Sequence, residues 1–196
     1  MCGRYYIDKE TIERGLKITG RENLLGEKLS SGDVYPSQNA FVISGKEMCL
    51  TPEVMRWGFV PYRGGQLLIN ARSETALQKP SFSESLQKRR CVIPAKHYYE
   101  WDAWKNKVTL YRADKEVLYL AGIYGVFGSE ERFTILTTQA NVSVRNVHDR
   151  MPLMLSQEQI GAWIFDDEQT RNYLNMEPVS LYQHRDYEQM SVFDVF

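Results

Sequence analysis

Residues 91–138 read CVIPAKHYYEWDAWKNKVTLYRADKEVLYLAGIYGVFGSEERFTILTT. β-Branched and aromatic side chains recur in runs at 91–94, 97–101, 108–112, 117–127 and 133–138, broken by polar or glycine-containing segments. Such side chains suit a pleated, half-buried surface, so the stretch predicts consecutive strands joined by turns. The 117–127 run reads as two strands, or as one bent at its glycines. Toward the N-terminus, 3–7 reads as a short strand. Asp8 is placed to cap a helix reaching about Leu16, with Ile12 and Leu16 on one face. A polar loop is expected at 30–38, strands at 40–44 and 54–60 with Gly45-Lys46 as turn material, and a short strand at 67–70. Residues 74–87 are helix-like but interrupted by Pro80, which predicts two pieces. Toward the C-terminus, Ser156-Gln157-Glu158-Gln159 has the pattern of a capping box opening a helix to about 165, and a further helix is expected at 168–174. Strands in the middle with helices at the flanks predict an α+β chain, one domain over residues 1–196, with a mostly antiparallel, barrel-like sheet and flanking helices.

Hydrophobic residues make up 43% of the 196 and charged residues 25%, an ordinary globular balance that supports a sizeable core. The formal net charge of -1 excludes a protein that holds duplex DNA through domain-wide basicity, so any nucleic-acid contact must come from a local patch. The longest apolar run, 117–127, is too short to span a bilayer, and the N-terminus lacks a basic-then-apolar signal; a cytoplasmic protein is expected, without membrane partners. Cys2, Cys49 and Cys91 form no C-x-x-C and predict free thiols in a reducing compartment. His97, His148 and His184 stand at no zinc-like spacing with them. Neither a metal nor an organic cofactor is expected.

Four segments could carry chemistry. Removal of Met1, usual before a small second residue, would leave Cys2 with an α-amine and a thiol on one skeleton. Their reference pKa values are about 7.7–8.0 and about 8.5, so a useful fraction of each is nucleophilic at neutral pH. A 1,2-aminothiol condenses with an aldehyde to an imine, and its sulfur then closes a thiazolidine ring; an internal cysteine, whose nitrogen is an amide, lacks this reaction. The plainer alternative is a small buried residue starting a strand. Glu100, inside Tyr98-Tyr99-Glu100-Trp101, would be a desolvated general acid/base if it faces a cleft, or else an exposed carboxylate on the outer face of a strand. In Val147-His148-Asp149-Arg150-Met151-Pro152, His148 suits proton transfer to a substrate oxygen and Arg150 a phosphate; the alternative is a loop with an Asp149–Arg150 ion pair. Asn70 and Arg72 alternate in strand register and share a face, suited to a sugar-phosphate, or they mark a strand exit where Ser73 and Thr75 cap a helix. Lys88-Arg89-Arg90 reads as a solvated helix end.

The order of these motifs says more than each alone. Cys2-Gly3-Arg4, Tyr35-Pro36-Ser37-Gln38, Trp57-Gly58 followed by Pro61, and Asn70-Ala71-Arg72-Ser73-Glu74-Thr75 come first. Lys79-Pro80-Ser81-Phe82, Arg90-Cys91-Val92-Ile93-Pro94-Ala95, Tyr99-Glu100-Trp101 and His148-Asp149-Arg150-Met151-Pro152 follow. Together they resemble the SOS-response-associated peptidase (SRAP) family from Cys2 to about Trp163. The resemblance implies binding of single-stranded DNA and covalent capture of abasic sites through the N-terminal cysteine as a thiazolidine, with associated lyase and crosslink-reversal chemistry. It further implies that Cys2 is the nucleophile, Glu100 the acid/base, His148 the proton donor to the sugar oxygen and Asn70 a positioning residue. On the same footing, Arg4, Arg72 and Arg150 would contact phosphates, and Pro36 and Trp57 would lie at the DNA interface; in a bacterium the protein would associate with the nucleoid. Two other functions use the same residues. An N-terminal-nucleophile peptidase would attack an amide with the Cys2 thiolate, and a single-strand binding module would need the arginines but not the thiol. The sequence carries no sign of an oligomeric state.

Overall fold

The computed structural model describes residues 2–21, 29 and 31–185. Its strands are β1 (Tyr5–Ile7), β2 (Gly32–Val34), β3 (Asn39–Lys46), β4 (Cys49–Trp57), β5 (Asn70–Arg72), β6 (Arg90–Ala95), β7 (His97–Trp101), β8 (Lys107–Tyr111), β9 (Leu118–Phe127), β10 (Glu130–Gln139), β11 (Arg150–Pro152), β12 (Met154–Leu155) and β13 (Tyr182–Arg185). The helices are α1 (Lys9–Thr19), α2 (Ser73–Ala76), α3 (Ser83–Lys88), α4 (Gln159–Phe165) and α5 (Asp167–Leu174).

β10, β4, β3, β6 and β9 pair in that order and β9 pairs back to β10, which closes a barrel and abolishes its edges. β11, β12 and β5 extend this sheet. Pairing is antiparallel except where β10 meets β4 and β5, both parallel. A second sheet, in the order β13-β8-β7-β1-β2, carries the N-terminal segment. The structure thus shows the expected mixed α+β, mostly antiparallel, barrel-like class. The 117–127 run resolves as one strand, Leu118–Phe127, rather than two, and Gly122 in it admits the side chain of Ile93 from β6. Trp57, Phe133, Tyr5 and Tyr98 are among the largest fully buried side chains of the core.

Asp8 caps α1 by accepting from the Thr11 N–H at 2.8 Å, and the helix runs past Leu16 to Gly20, whose left-handed φ of 64° ends it. Pro80 separates α2 from α3 as expected. Half of the capping box forms: the Gln159 side chain accepts from the Ser156 N–H at 2.8 Å.

Several expectations are corrected. The segment read as a polar loop at 30–38 contains β2, held by pairing of Tyr5 with Val34 (residue 30 is outside the described residues). The turn between β3 and β4 falls at Glu47 and Met48, both with positive φ, rather than at Gly45-Lys46. Gly45 lies inside β3, where an added Cβ would come within 2.5 Å of the Phe165 ring; close packing of α4, not a turn, explains this glycine. The 54–60 strand is displaced to Cys49–Trp57, and the 67–70 strand to Asn70–Arg72. Arg90, read as part of a solvated basic run, is 5% exposed and bonded to the ends of two helices.

Candidate active site

Cys2 precedes β1 of the smaller sheet and is 1% exposed. Asn70 reaches it from β5, its Nδ2 donating to the Cys2 carbonyl at 2.9 Å. Asn70 is set by the strand beneath it, for β5 pairs with Ile135 to Thr137 of β10. The Ile69 carbonyl accepts from the Trp57 indole N–H at 2.9 Å. β1 is pinned to β7 by the Tyr5–Tyr98 pairing and by the Tyr99 N–H, which donates to the Arg4 carbonyl at 3.0 Å. Alternation along β7 puts Tyr98 and Glu100 on the inward face, and both are buried. Of the two readings of Glu100, the structure selects the desolvated carboxyl.

Burial pushes the Glu100 carboxyl above the ordinary carboxylate range; the charge of His148 and the Trp101 N–H act in the opposite sense. Burial likewise pushes the Cys2 thiol far up, the negative charge of Glu100 adds to this, and the hydrogen bond to the Arg4 backbone opposes it. The resting sulfur is therefore a thiol, its Sγ donating to the Arg4 carbonyl at 3.9 Å. Met1, whose removal the aminothiol reading requires, lies outside the described residues.

His148 ends a short turn before β11. Its Nδ1 accepts from the Arg150 N–H at 2.9 Å and stands 2.8 Å from Asp149 Oδ1. These two contacts belong to different protonation states. The neutral ring accepts at Nδ1 and carries its proton on Nε2; the charged ring donates from Nδ1 to the exposed Asp149. Asp149 pairs with His148 rather than with Arg150. Cys2, Asn70, Glu100 and His148, distant in sequence, meet here: Asn70 touches Cys2 directly, while Glu100 interacts electrostatically with both Cys2 and His148.

The interface residues divide. Arg72 is exposed on the face that Asn70 shares, with Ala71 buried on the opposite one. Arg4 is bonded to Asp33, and its guanidinium lies 4.6 Å from the Tyr99 ring centroid and 5.0 Å from that of Tyr35. Pro36, next to the exposed Tyr35, is half-buried. Trp57 is 0% exposed, stacked on Phe133 and tilted against Tyr5, and it holds the backbone ahead of Asn70. Arg150, 7% exposed, donates to both carboxylate oxygens of Glu74 and to the Thr137 carbonyl, which ties β11 to α2. The sequence reading passed over Glu74 as the partner of Arg150 and Asp33 as that of Arg4; neither has a local signature. It also passed over the buried hydroxyls of Tyr5 and Tyr98, although the alternation around Glu100 marks Tyr98. Among the described residues no cluster of His, Cys, Asp and Glu could hold a metal ion.

A closed barrel that carries, on an adjoining sheet, a buried cysteine held by an asparagine and faced by a desolvated glutamate defines a class of protein. The family model described as SOS response associated peptidase (SRAP) matches residues 1–195, and the chain belongs to this family. It is 31% identical over 211 residues to abasic site processing protein YoqW of Bacillus subtilis, covering 100% of this chain and 92% of the relative. To abasic site processing protein YedK of Escherichia coli it is 31% identical over 182 residues, covering 84% of this chain and 79% of the relative. A solved structure from Bacteroides thetaiotaomicron superposes with a TM-score of 0.79 at 22% identity, covering 94% of this chain and 91% of that one. One from Bordetella bronchiseptica gives 0.78 at 23%, covering 95% and 100%. At these identities the two structures establish the fold alone.

Glu100 gives a stability prediction. Its folded carboxyl holds a proton more tightly than in the unfolded chain, where the pKa is about 4.3. Its contribution is therefore fully present below that value and lost as pH rises through the raised folded value. Glu100→Gln, which never ionises, is expected to melt at least ~2 °C above wild type at pH 7–8, roughly the effect of 1 kcal/mol in a domain this size. The gain should shrink toward pH 4. A melting difference independent of pH would show that the carboxyl is not desolvated.

Proposed function

We propose that this protein processes abasic sites in single-stranded DNA by capturing them covalently through Cys2 once Met1 is removed. The observation that carries the reading is the convergence of Asn70 and Glu100 on a buried Cys2. An abasic deoxyribose in its open form is an aldehyde, the electrophile that a 1,2-aminothiol takes. The Cys2 amine attacks the carbonyl carbon, Glu100 donates a proton as water leaves, and the sulfur closes onto the imine carbon. His148, oriented at Nδ1 by the Arg150 N–H, serves the sugar oxygen as the deoxyribose ring opens. Asn70 fixes the Cys2 backbone and so aims the amine. Arg72 and Arg4 supply the local positive charge for the phosphates. The names of the YoqW and YedK relatives support the abasic site as target. Lyase cleavage of the strand through the imine, and reversal of the ring with Glu100 as base, belong to the same proposal.

The family's description as a peptidase supports a second reading. It needs the Cys2 sulfur to attack an amide and donors to hold the resulting oxyanion; the raised thiol pKa weighs on that attack as it does on closure of the thiazolidine ring.

The test uses protein whose loss of Met1 is confirmed by intact mass. It is incubated with a single-stranded oligonucleotide carrying one abasic site, or with its intact counterpart, and resolved on a denaturing gel. A heat-stable shifted band with the abasic strand alone is expected. Its absence, with turnover of peptides instead, would transfer the function to the peptidase reading.

A further inference from the structure

The smaller sheet turns one face, the one with Glu100, toward the site above. The side chains on that face, Tyr5, Ile7, Tyr98, Glu100, Val108 and Leu110, are all buried. Alternation turns their neighbours to the other side. There Tyr6 pairs with His97, Tyr99 with Thr109, Thr109 with His184, and Tyr111 with Tyr182. Cross-strand partners share a face, so four strands carry a continuous field of rings. Tyr6 and His97 stack with centroids 4.9 Å apart and planes 5° from parallel. His97 meets Tyr99 edge-on at 5.0 Å, and Tyr111 lies 6.3 Å from Tyr182. Tyr182 is 60% exposed, and Tyr6, His97 and Tyr111 are half-buried.

Among these rings lies a cleft of about 290 Å³, lined by Lys96, His97, Thr109, Tyr111, Lys115 and His184. Its lining holds two ammonium groups, two imidazoles and two hydroxyls, and no carboxylate. Asp8 and Glu10 approach Lys96 only to 3.8 and 3.7 Å, beyond hydrogen-bond length, so this ammonium can turn to another anion. Lys107 and Arg4 lie over the Tyr99 ring, at 5.5 and 4.6 Å from its centroid. Cations interleaved with rings are what a single strand requires, since any base stacks on a ring and its phosphate takes the cation. From β1 to β13 the face crosses four strands spaced about 4.8 Å apart, about 14 Å in all. That is room for two or three bases, about the number that a four-stranded aromatic sheet stacks in RNA-recognition modules. Arg4 joins this face to the site, for it stands two residues from Cys2 and on the ring side of the sheet.

We propose that the outward face of the smaller sheet is a second surface for single-stranded DNA, on which His97, Tyr111 and Tyr182 stack bases while Lys96 and Lys115 hold phosphates. The inference deepens the capture reading and rests on it for the identity of the strand: the strand that enters at Cys2 is carried past Arg4 onto the sheet. Undamaged nucleotides then supply affinity, and the nucleotide without a base supplies the aldehyde. The contact is noncovalent, and it gives a chain of net charge -1 the local positive patch that a strand needs.

The experiment measures binding of an undamaged single-stranded oligonucleotide by fluorescence anisotropy, across salt concentration. Tyr182→Leu removes a ring, Tyr182→Phe keeps it, and Lys115→Ala removes a cation. Tyr182→Leu is expected to weaken binding at least about fivefold, the low end of what one base–aromatic stack contributes, while Tyr182→Phe binds as wild type. Lys115→Ala should lower the slope of log affinity against log salt by about 0.7, one phosphate contact on a single strand. A strand carrying iododeoxyuridine, irradiated and mapped by mass spectrometry, should crosslink to His97, Tyr111 or Tyr182. Wild-type affinity and salt slope in Tyr182→Leu and Lys115→Ala, or crosslinks confined to the surroundings of Cys2, overturn the proposal. So does a dimer in light scattering that Tyr182→Leu separates, which would give the face to a second copy of the chain, or tighter binding of an RNA of the same sequence. If the abasic strand forms no adduct with wild-type protein, the capture reading fails, while the undamaged strand still decides the role of this face.

Discussion

Alanine at position 2 is expected to abolish the heat-stable adduct with abasic DNA while leaving noncovalent binding close to wild type. With Met1 removed, Cys2→Ala keeps the α-amine, so it still forms the imine; what it loses is the sulfur that traps it. An imine hydrolyses on heating, whereas the five-membered ring persists. The variant should therefore give a band only after borohydride reduction. The Asn70 contact is to the Cys2 backbone carbonyl and survives the substitution, as do the Arg4 and Arg72 cations, so affinity for the strand and its salt dependence should be retained. A heat-stable adduct in Cys2→Ala would place the nucleophile elsewhere. Unchanged behaviour in every assay would leave a binding module, whose signature is weakened, salt-sensitive binding in Arg72→Ala. Loss of a DNA-independent peptide turnover would identify the peptidase.

The largest effect on stability is expected at Arg90, which faces away from that chemistry. Its guanidinium donates to the Leu86 and Gln87 carbonyls at 3.0 and 2.9 Å in α3, and to the Trp163 and Ile164 carbonyls at 2.6 and 3.0 Å in α4. It also pairs with Asp167 at 2.8 Å. Carbonyls in the last turn of a helix have no partner within it, and here one planar cation serves two helices. Arg90→Ala leaves these acceptors unpaired beside a cavity. A loss of about 3–5 kcal/mol is expected, because each buried carbonyl left without a donor costs about 1–3 kcal/mol; the exposed Asp167 adds little. At roughly 2–4 °C per kcal/mol, the melting temperature should fall by on the order of 10 °C. Lysine at this position should restore little, because a single ammonium does not reproduce the fork of donors. A fall of under ~2 °C would show that water or the neighbouring Arg89 takes over.

Arg90 also marks where the sequence was misleading. Lys88-Arg89-Arg90 is a charge run, and charge alone does not say that the third member turns inward to meet the end of a helix some 70 positions later in the chain, at Trp163 and Ile164. The burial of Trp57 and Arg150 was hidden in the same way. An indole suits base stacking and a guanidinium suits phosphate, but both are equally at home satisfying a buried carbonyl or carboxylate. The long strands β9 and β10, the cap at Asp8 and the break at Pro80 were legible because their signals are local: a run of β-branched and aromatic residues, a side-chain acceptor, a ring that blocks a helix. β2, β11, β12 and β13 are two to four residues long and exist only through the strands they lie against. At the site, each of Cys2, Asn70, Glu100 and His148 had a bland alternative. What raised them above it was their order along the chain, and their proximity is a property of the barrel rather than of any motif. The Tyr5 and Tyr98 hydroxyls went unread because an aromatic strand residue looks complete as a core residue.

The closure of the barrel sets a timetable for the polypeptide as it leaves the ribosome. β10, at residues 130–139, pairs with β4, β5, β9 and β11, so neither the barrel nor the shelf that carries Asn70 is complete until some two thirds of the chain has been synthesised. Once β5 has docked, Cys2 is enclosed and its carbonyl is held. The proposed capture chemistry therefore expects Met1 to leave while β10 is still unmade, and intact-mass analysis of nascent and folded protein would check that order.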